Sequence, residues 1–303
     1  MIKIPPSLKK GNTIGLTCPA GYMAAEKAQI CIDTLQTWGY QVMVGKTLGS
    51  ASENYFSGSD EERCGELQAM LDDTSINAIL FGRGGYGMSR IIDQLDFKKF
   101  KKNPKWLIGF SDITVMHTHL YSQYKIASIH APMAAAFNDG EFENEFIQSL
   151  RKALKGKKGS YSCATNINNK LGTATGPLVG GNLALLTHVI GTNSDYSTKN
   201  CILFIEDIGE YLYNIDRMLY QVKRSGKLNN ITGLIFGGFT DMKDTERPFG
   251  KNIDEILQHI SADLNIPVCF NFPVSHGKEN VALKIGATYN LIVGARKVSL
   301  KEL

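Results

Sequence analysis

The feature that most constrains this chain is the alternation of strand and helix signals through its first half. Residues 13–17 read as a strand, closed by Pro19-Ala20-Gly21. Ala24, Ala28, Cys31, Ile32, Leu35 and Trp38 then recur at helical spacing until Gly39 stops the run. Residues 40–44, 77–81 and 105–110 predict further strands, with helices over 61–71, from about Met88, and through about Tyr124. A strand followed by a helix cannot fold back as a hairpin. The crossover returns the chain beside its start, so this order predicts βαβ units and a parallel sheet.

Near residues 156–176 the character changes. Gly156-Lys157-Lys158-Gly159-Ser160 and Asn166-Ile167-Asn168-Asn169-Lys170 are polar and turn-rich, which predicts a linker. Beyond it strand signals dominate, at 201–205, 232–236, 268–272, 282–285 and 290–293, with Gly294-Ala295-Arg296 as the turn of a terminal hairpin. A chain of 303 residues has room for two domains. The division expected is an N-terminal α/β domain over 1–155 and a strand-rich domain over 177–303.

Apolar residues at 43% and charged residues at 20% place the chain among globular proteins, not disordered or fibrous ones. A net charge of +4 is too mild to single out a nucleic acid or a membrane surface as partner. No apolar run approaches the roughly 18 residues a bilayer span needs. The first ten residues have no apolar h-region, so no secretory signal is expected and the cytoplasm is the expected compartment. The six cysteines form no C-x-x-C pair, and several sit in apolar runs such as Cys201-Ile202-Leu203-Phe204-Ile205. That pattern reads as buried free thiols, with no metal site and no cofactor expected.

Gly82-Arg83-Gly84-Gly85-Tyr86-Gly87 matches G-x-G-x-x-G between a strand and a helix. A nucleotide-binding module is one reading. Against it, the motif follows about the third strand, and no acidic residue ends a strand at the spacing that ribose binding uses. Two readings remain open from spacing alone: a tight turn, or backbone N–H groups presented to an oxyanion.

Ser111 stands between strand 105–110 and a helix. Such a turn can lift Oγ above the sheet edge beside the next N–H, although a serine at such a junction is more often an N-cap. Gly109-Phe110-Ser111 fits half of G-x-S-x-G, and Ile113 replaces the second glycine. A nucleophilic serine needs a base and a carboxylate to orient that base. Of the six histidines, His117 and His119 lie two apart on a helix and make a poor metal pair. His188 reads as a core residue and His259 as solvated. His130 ends a strand, and His276 follows one in Pro273-Val274-Ser275-His276-Gly277. Glu206 and Asp207 end strand 201–205, with Glu210 one turn on. Spacing does not decide which carboxylate partners a histidine.

Taken together, several segments resemble the LD-carboxypeptidase family of serine peptidases. They are residues 55–63 (Tyr-Phe-Ser-Gly-Ser-Asp-Glu-Glu-Arg), Arg83-Gly84-Gly85-Tyr86-Gly87, Gly109-Phe110-Ser111-Asp112-Ile113-Thr114 and His130-Ala131-Pro132-Met133. Leu178-Val179-Gly180-Gly181-Asn182-Leu183, Glu206-Asp207-Ile208-Gly209-Glu210 and residues 213–219 (Tyr-Asn-Ile-Asp-Arg-Met-Leu) continue the match. It departs at Ala131, where relatives often carry Gly. The resemblance implies a Rossmann-like or flavodoxin-like parallel-sheet domain followed by a strand-rich α/β domain of swivelling type. It implies a triad of Ser111 as nucleophile, His276 as base and Glu206 as acid, with an oxyanion hole from the backbone N–H groups of Gly85 and Asp112. Neither half would then be catalytic alone. The activity implied is release of the terminal D-alanine from murein tetrapeptides in cell-wall recycling, by a homodimer. Arg83 and Arg217 are candidates for the substrate carboxylate. The other branch, the microcin-immunity hydrolases, cleaves a peptidyl-nucleotide amide and carries a longer aromatic loop; here residues 156–176 offer only Tyr161.

Overall fold

The computed structural model describes residues 2–139 and 144–303. The chain forms two compact units. One comprises Met1–Lys157 with Val281–Lys284, the other Lys158–Asn280 with Ile285–Leu303.

In the first unit, β1 (Thr13–Thr17), β2 (Gln41–Val44), β3 (Ile76–Phe81), β4 (Trp106–Gly109) and β5 (Ser128–His130) pair in parallel. Their spatial order is β5-β4-β3-β1-β2. This is the flavodoxin-like arrangement, and the order reverses between β1 and β3. Outside the carboxyl ends of those two strands such folds open a crevice. The loops that begin at Cys18 and Gly82 leave from there. The inner strands β1, β3 and β4 are nearly continuous apolar runs because helices cover both faces of a parallel sheet, while the edge strand β2 is largely exposed. Ile14, Leu16, Leu80, Ile108 and Ile129 are buried with Cys31, Leu35 and Leu150 from the helices. Truncating one such leucine to alanine costs about 2–5 kcal/mol.

Local signals set the helix ends. The helix Gln29–Thr37 stops where Gly39 takes φ +94°, a conformation cheap only for glycine. The helix Asp60–Asp72 opens on a capping box, in which Ser59 Oγ accepts from Glu62 N and Glu62 accepts from Ser59 N. The helix expected from Met88 is a single turn, Met88–Ile91, followed by a short 3-10 segment.

The second unit contributes β6 (Ser160–Ala164), β7 (Gly172–Asn182), β8 (Ile202–Ile208), β9 (Gly233–Thr240) and β10 (Val268–Cys269). The short strand β11 (Leu283–Ile285) joins the edge of the first sheet beside β5, and β12 (Thr288–Val293) and β13 (Lys297–Glu302) form the terminal hairpin. The second sheet runs β10-β9-β8-β7-β12-β13-β6. It is parallel from β7 to β10 and antiparallel from β7 through β12 and β13 to β6.

Two expectations need correction. Residues 156–176 are not a bare linker, because they contain β6 and the start of β7. Only Tyr161 and Cys163 of β6 turn inward while its serines are exposed, so this edge strand carries almost no apolar signal. The stretch after residue 177 is not one body either. Val281–Lys284 belongs to the first unit, where Ser149 Oγ accepts from Ala282 N at 2.8 Å. Among the described residues, no helix is long and apolar enough to cross a membrane.

Candidate active site

In the first unit Ser111 follows the carboxyl end of β4. Strand β4 ends at Gly109, Phe110 is extended, and Ser111 takes φ +61° before the chain coils into a 3-10 turn and the helix Thr114–His119. A left-handed serine costs about 1 kcal/mol or more and persists only where its surroundings demand it. Its neighbour Asp112 is buried. Asp112 Oδ2 accepts from Met88 N at 2.8 Å, the first amide of the helix that follows the glycine loop. Burial pushes this carboxyl up to about 6, against the bonds from the backbone and the nearby Arg63 charge.

The glycine cluster lies against this serine. A Cβ on Gly84 would stand 2.9 Å from Ser111 Cβ, 3.1 Å from its Oγ and 3.4 Å from Asp112 N. The absence of a side chain at Gly84 therefore leaves the space beside Ser111 Oγ and the Asp112 amide open. Gly84 was not singled out from sequence. Gly85 turns the loop at φ +99°, and a Cβ there would meet the Tyr55 hydroxyl at 2.8 Å. Gly84 O accepts from Gly21 N at 3.1 Å, tying the loop after β3 to the loop after β1.

Arg63 is the other residue that sequence reading passed over. Its side chain is fully buried. It donates to Pro19 O at 2.5 Å, Gly58 O at 3.2 Å and Gly87 O at 3.3 Å, pairs with Asp60, and lies over the Phe56 ring. One guanidinium thus satisfies carbonyls of three loops, which an ammonium could not do with the same planar fork. Arg83 and Arg217 are exposed. Arg83 donates to Tyr22 O, and Arg217 packs over Tyr213 and bonds to Asn214.

In the second unit, His276 Nδ1 lies 2.6 Å from Glu206 Oε2, with Glu206 fully buried. A carboxylate can only accept, so Nδ1 carries the hydrogen and the lone pair sits on Nε2. Glu210 is elsewhere, accepting from Asn214 Nδ2. Asp207 turns away from His276. It accepts from Asn182 Nδ2 at 2.9 Å, Ala184 N at 3.0 Å and Ile208 N at 2.8 Å, and burial pushes its carboxyl up to about 6.

A bulge builds this pair. Ile205 lies opposite Phe236 and Asp207 opposite Phe239, so Gly237 and Gly238 of β9 together face the single residue Glu206. A Cβ on Gly237 would fall 2.1 Å from Val274 O, and one on Gly238 would fall 2.6 Å from Ser275 Cβ. Without those side chains, Gly238 N donates to Val274 O at 2.9 Å and the 273–277 loop settles on β9. Ser275 Oγ then accepts from Gly277 N and donates to Glu279 O, holding the turn that carries His276. The only sequence signal was a Gly-Gly pair inside an apolar strand.

The remaining histidines have other tasks. His117 is buried between Gly109 O and Ser128 Oγ, His119 is buried against Phe97, and His130 is buried beside Phe110. His188, expected in the core, is exposed, because it lies on the open side of its short helix while Leu183 and Leu186 turn inward. His259 is exposed and bonds to Tyr220. Among the described residues no group of three or more His, Cys, Asp or Glu side chains converges as metal ligands would.

Comparison with known proteins now bears on these geometries. Residues 14–131 match the sequence model of the LD-carboxypeptidase N-terminal domain, and residues 175–291 that of the LD-carboxypeptidase C-terminal domain. A probable murein peptide carboxypeptidase of Bacillus subtilis is 33% identical over 286 residues, covering 93% of this chain and 89% of its own. The crystal structure of muramoyltetrapeptide carboxypeptidase from Oxalobacter formigenes superposes with a TM-score of 0.86 at 29% identity, over 96% of this chain and 98% of its own. A structure of the microcin C7 self immunity protein MccF in complex with aspartyl sulfamoyl adenosine superposes at 0.87 with 21% identity, over 99% and 98%. At that identity the likeness concerns the fold.

Proposed function

The chain belongs to the LD-carboxypeptidase family, and from that premise we propose that it is a serine carboxypeptidase releasing the terminal D-alanine of murein tetrapeptides. The observation that carries the reading is the 2.6 Å contact between His276 Nδ1 and buried Glu206. It is the arrangement of a general base held in one tautomer by a carboxylate. Ser111 is the matching nucleophile, and its positive φ supports that role. The named substrates of the Bacillus and Oxalobacter relatives support the substrate class.

In this mechanism Ser111 Oγ attacks the carbonyl before the terminal residue while His276 Nε2 takes its proton. The amides of Gly85 and Asp112 hold the tetrahedral oxyanion, each worth about 3 kcal/mol if they behave as other single donors do. His276 returns the proton to the departing D-alanine amine, and water then hydrolyses the Ser111 ester. Glu206 stabilises the imidazolium without itself taking the proton. The cytoplasm and a homodimer complete the proposal, with no metal or cofactor in any step. Tyr161 remains the only aromatic of residues 156–176, which favours a peptide over a peptidyl nucleotide.

Hydrolysis of a tetrapeptide ending in D-alanine tests the reading, comparing the wild type with Ser111→Ala and His276→Ala. Both substitutions should lower kcat by several orders of magnitude. Full activity in Ser111→Ala would overturn the mechanism, and inactivity of the wild type on every D-alanine-terminated murein peptide would overturn the substrate class.

A further inference from the structure

The seven-stranded sheet of the second unit ends in β10 on one side and β6 on the other. The chain brings these two ends together. After β6 it turns through Asn166–Asn169, where Asn169 N donates to Asn166 O. Lys170 then makes a reciprocal backbone pair with Val268, with N···O distances of 3.0 and 3.1 Å. Asn169 Oδ1 accepts from Phe270 N at 2.8 Å. Cys269 is therefore flanked on both sides by bonds to the segment that has just left β6. Cys163 faces it from β6. It pairs across the ladder with buried Val298 and turns inward, while Ser162 and Ala164 beside it are exposed. The two thiols neighbour one another, and Cys163 is partly exposed whereas Cys269 is fully buried.

We propose that Cys163 and Cys269 are an oxidisable dithiol that a peroxide converts to a disulfide joining the two outer strands of this sheet. The division of labour follows from exposure. Cys163 is the thiol a small oxidant can reach, and Cys269 is the resolving thiol behind it. The proximity of the two thiols assigns the charges in the same sense. It lowers the Cys163 thiol and, with burial, raises that of Cys269.

Chemically, the Cys163 thiolate attacks one oxygen of hydrogen peroxide. The O–O bond breaks, hydroxide leaves, and Cys163 becomes a sulfenic acid. The Cys269 sulfur then attacks the Cys163 sulfur. Its proton and the expelled hydroxide form water, and the S–S bond closes. In sum, two thiols lose two electrons and one hydrogen peroxide is reduced to two waters. Cys269 lies in the strand that runs on into the loop bearing His276, so the bond ties that strand to the opposite edge of its own sheet.

The test uses the full chain, first reduced and then treated with a small excess of hydrogen peroxide, digested without reductant and mapped by mass spectrometry. The expected product is a peptide pair joined through Cys163 and Cys269, two hydrogens lighter than the sum of its parts and separated again by dithiothreitol. The oxidised chain should unfold at a temperature higher by roughly 5 °C or more, since the bond closes a long loop. Cys163→Ser, at the partly exposed position, should lose both effects while its untreated form unfolds near the wild-type temperature. Recovery of Cys163 as an unmodified thiol, as a sulfinic acid, or joined to a different cysteine would overturn the proposal.

Discussion

The imidazole of His117 packs against Gly109, the last residue of the strand that delivers Ser111, and its burial has a measurable consequence. Nε2 faces the Gly109 carbonyl at 2.8 Å, and a carbonyl only accepts, so Nε2 bears the hydrogen. Nδ1 then accepts from the Ser128 hydroxyl at 2.8 Å. A proton added to Nδ1 would reverse that bond and place a charge in a fully buried site. Burial accordingly holds the pKa down at about 4, against an ordinary 6.5. The unfolded chain takes up this proton as the pH falls through 6.5, whereas the native chain refuses it until about 4. Stability from the neutral ring is complete above the upper value and is lost progressively down to the lower one. At roughly 1.4 kcal/mol per pH unit, the loss across the window is about 3 kcal/mol. Asp112 acts in the opposite sense. Its carboxyl is raised to about 6, so the native state binds that proton first and gains stability as the pH falls from there toward 4. The wild-type curve sums these with Asp207, whose carboxyl is raised alike, and a difference isolates His117. His117→Gln does not titrate and keeps a donor for Gly109 O. Urea unfolding of both proteins from about pH 7.5 to about pH 4 should show the wild type losing about 3 kcal/mol relative to the variant. A difference that stays flat over that range would refute the reasoning, because His117 would then titrate alike in both states.

Other outcomes follow from the same geometry. Ser111→Gly should raise stability by about 1 kcal/mol in the same unfolding assay while abolishing hydrolysis, because glycine accepts φ +61° without strain; an unchanged or lower stability would count against strain at this position. Glu206→Gln should cut kcat by about 10⁴-fold, as in other triads that lose the orienting charge, whereas Glu210→Gln should retain most activity. The reverse pattern would reassign the acid. Gly84→Ala should lower kcat by about 10²-fold with little change in unfolding, since its Cβ would press on Ser111 Cβ at 2.9 Å and displace the proposed nucleophile. Normal steady-state kinetics would show that the loop yields instead.

The parallel sheet of the first unit was legible because its inner strands β1, β3 and β4 are buried on both faces and read as apolar runs between helices, whereas the edge strand β2 is largely exposed. Strands β1 to β4 fall within a residue or two of where periodicity put them. Strand β6 was not legible. Its exposed serines need no apolar partner, and only β13 beside it makes it a strand. The same holds for the short return of Val281–Lys284 to the first unit, which depends on which sheet edge is left to cover. His188 shows the limit of periodicity in a helix of one and a half turns, where a small rotation exchanges core for solvent.

By itself the sequence determined the α/β class, the serine at a strand-to-helix turn, and a short set of histidines and carboxylates at strand ends. These follow from local rules: hydrophobic period, turn residues, and the geometry of a chain leaving a sheet. Spacing left Glu206 and Glu210 open and only the family resemblance named Glu206; the tertiary structure places Glu206, and not Glu210, against His276, and Gly84 beside Ser111. Each depends on a close approach between segments far apart in the chain, made possible where a side chain is missing: at Gly237 and Gly238 for the histidine loop, and at Gly84 for the serine. A glycine announces that something can come near. What comes near is set by the packing of everything else.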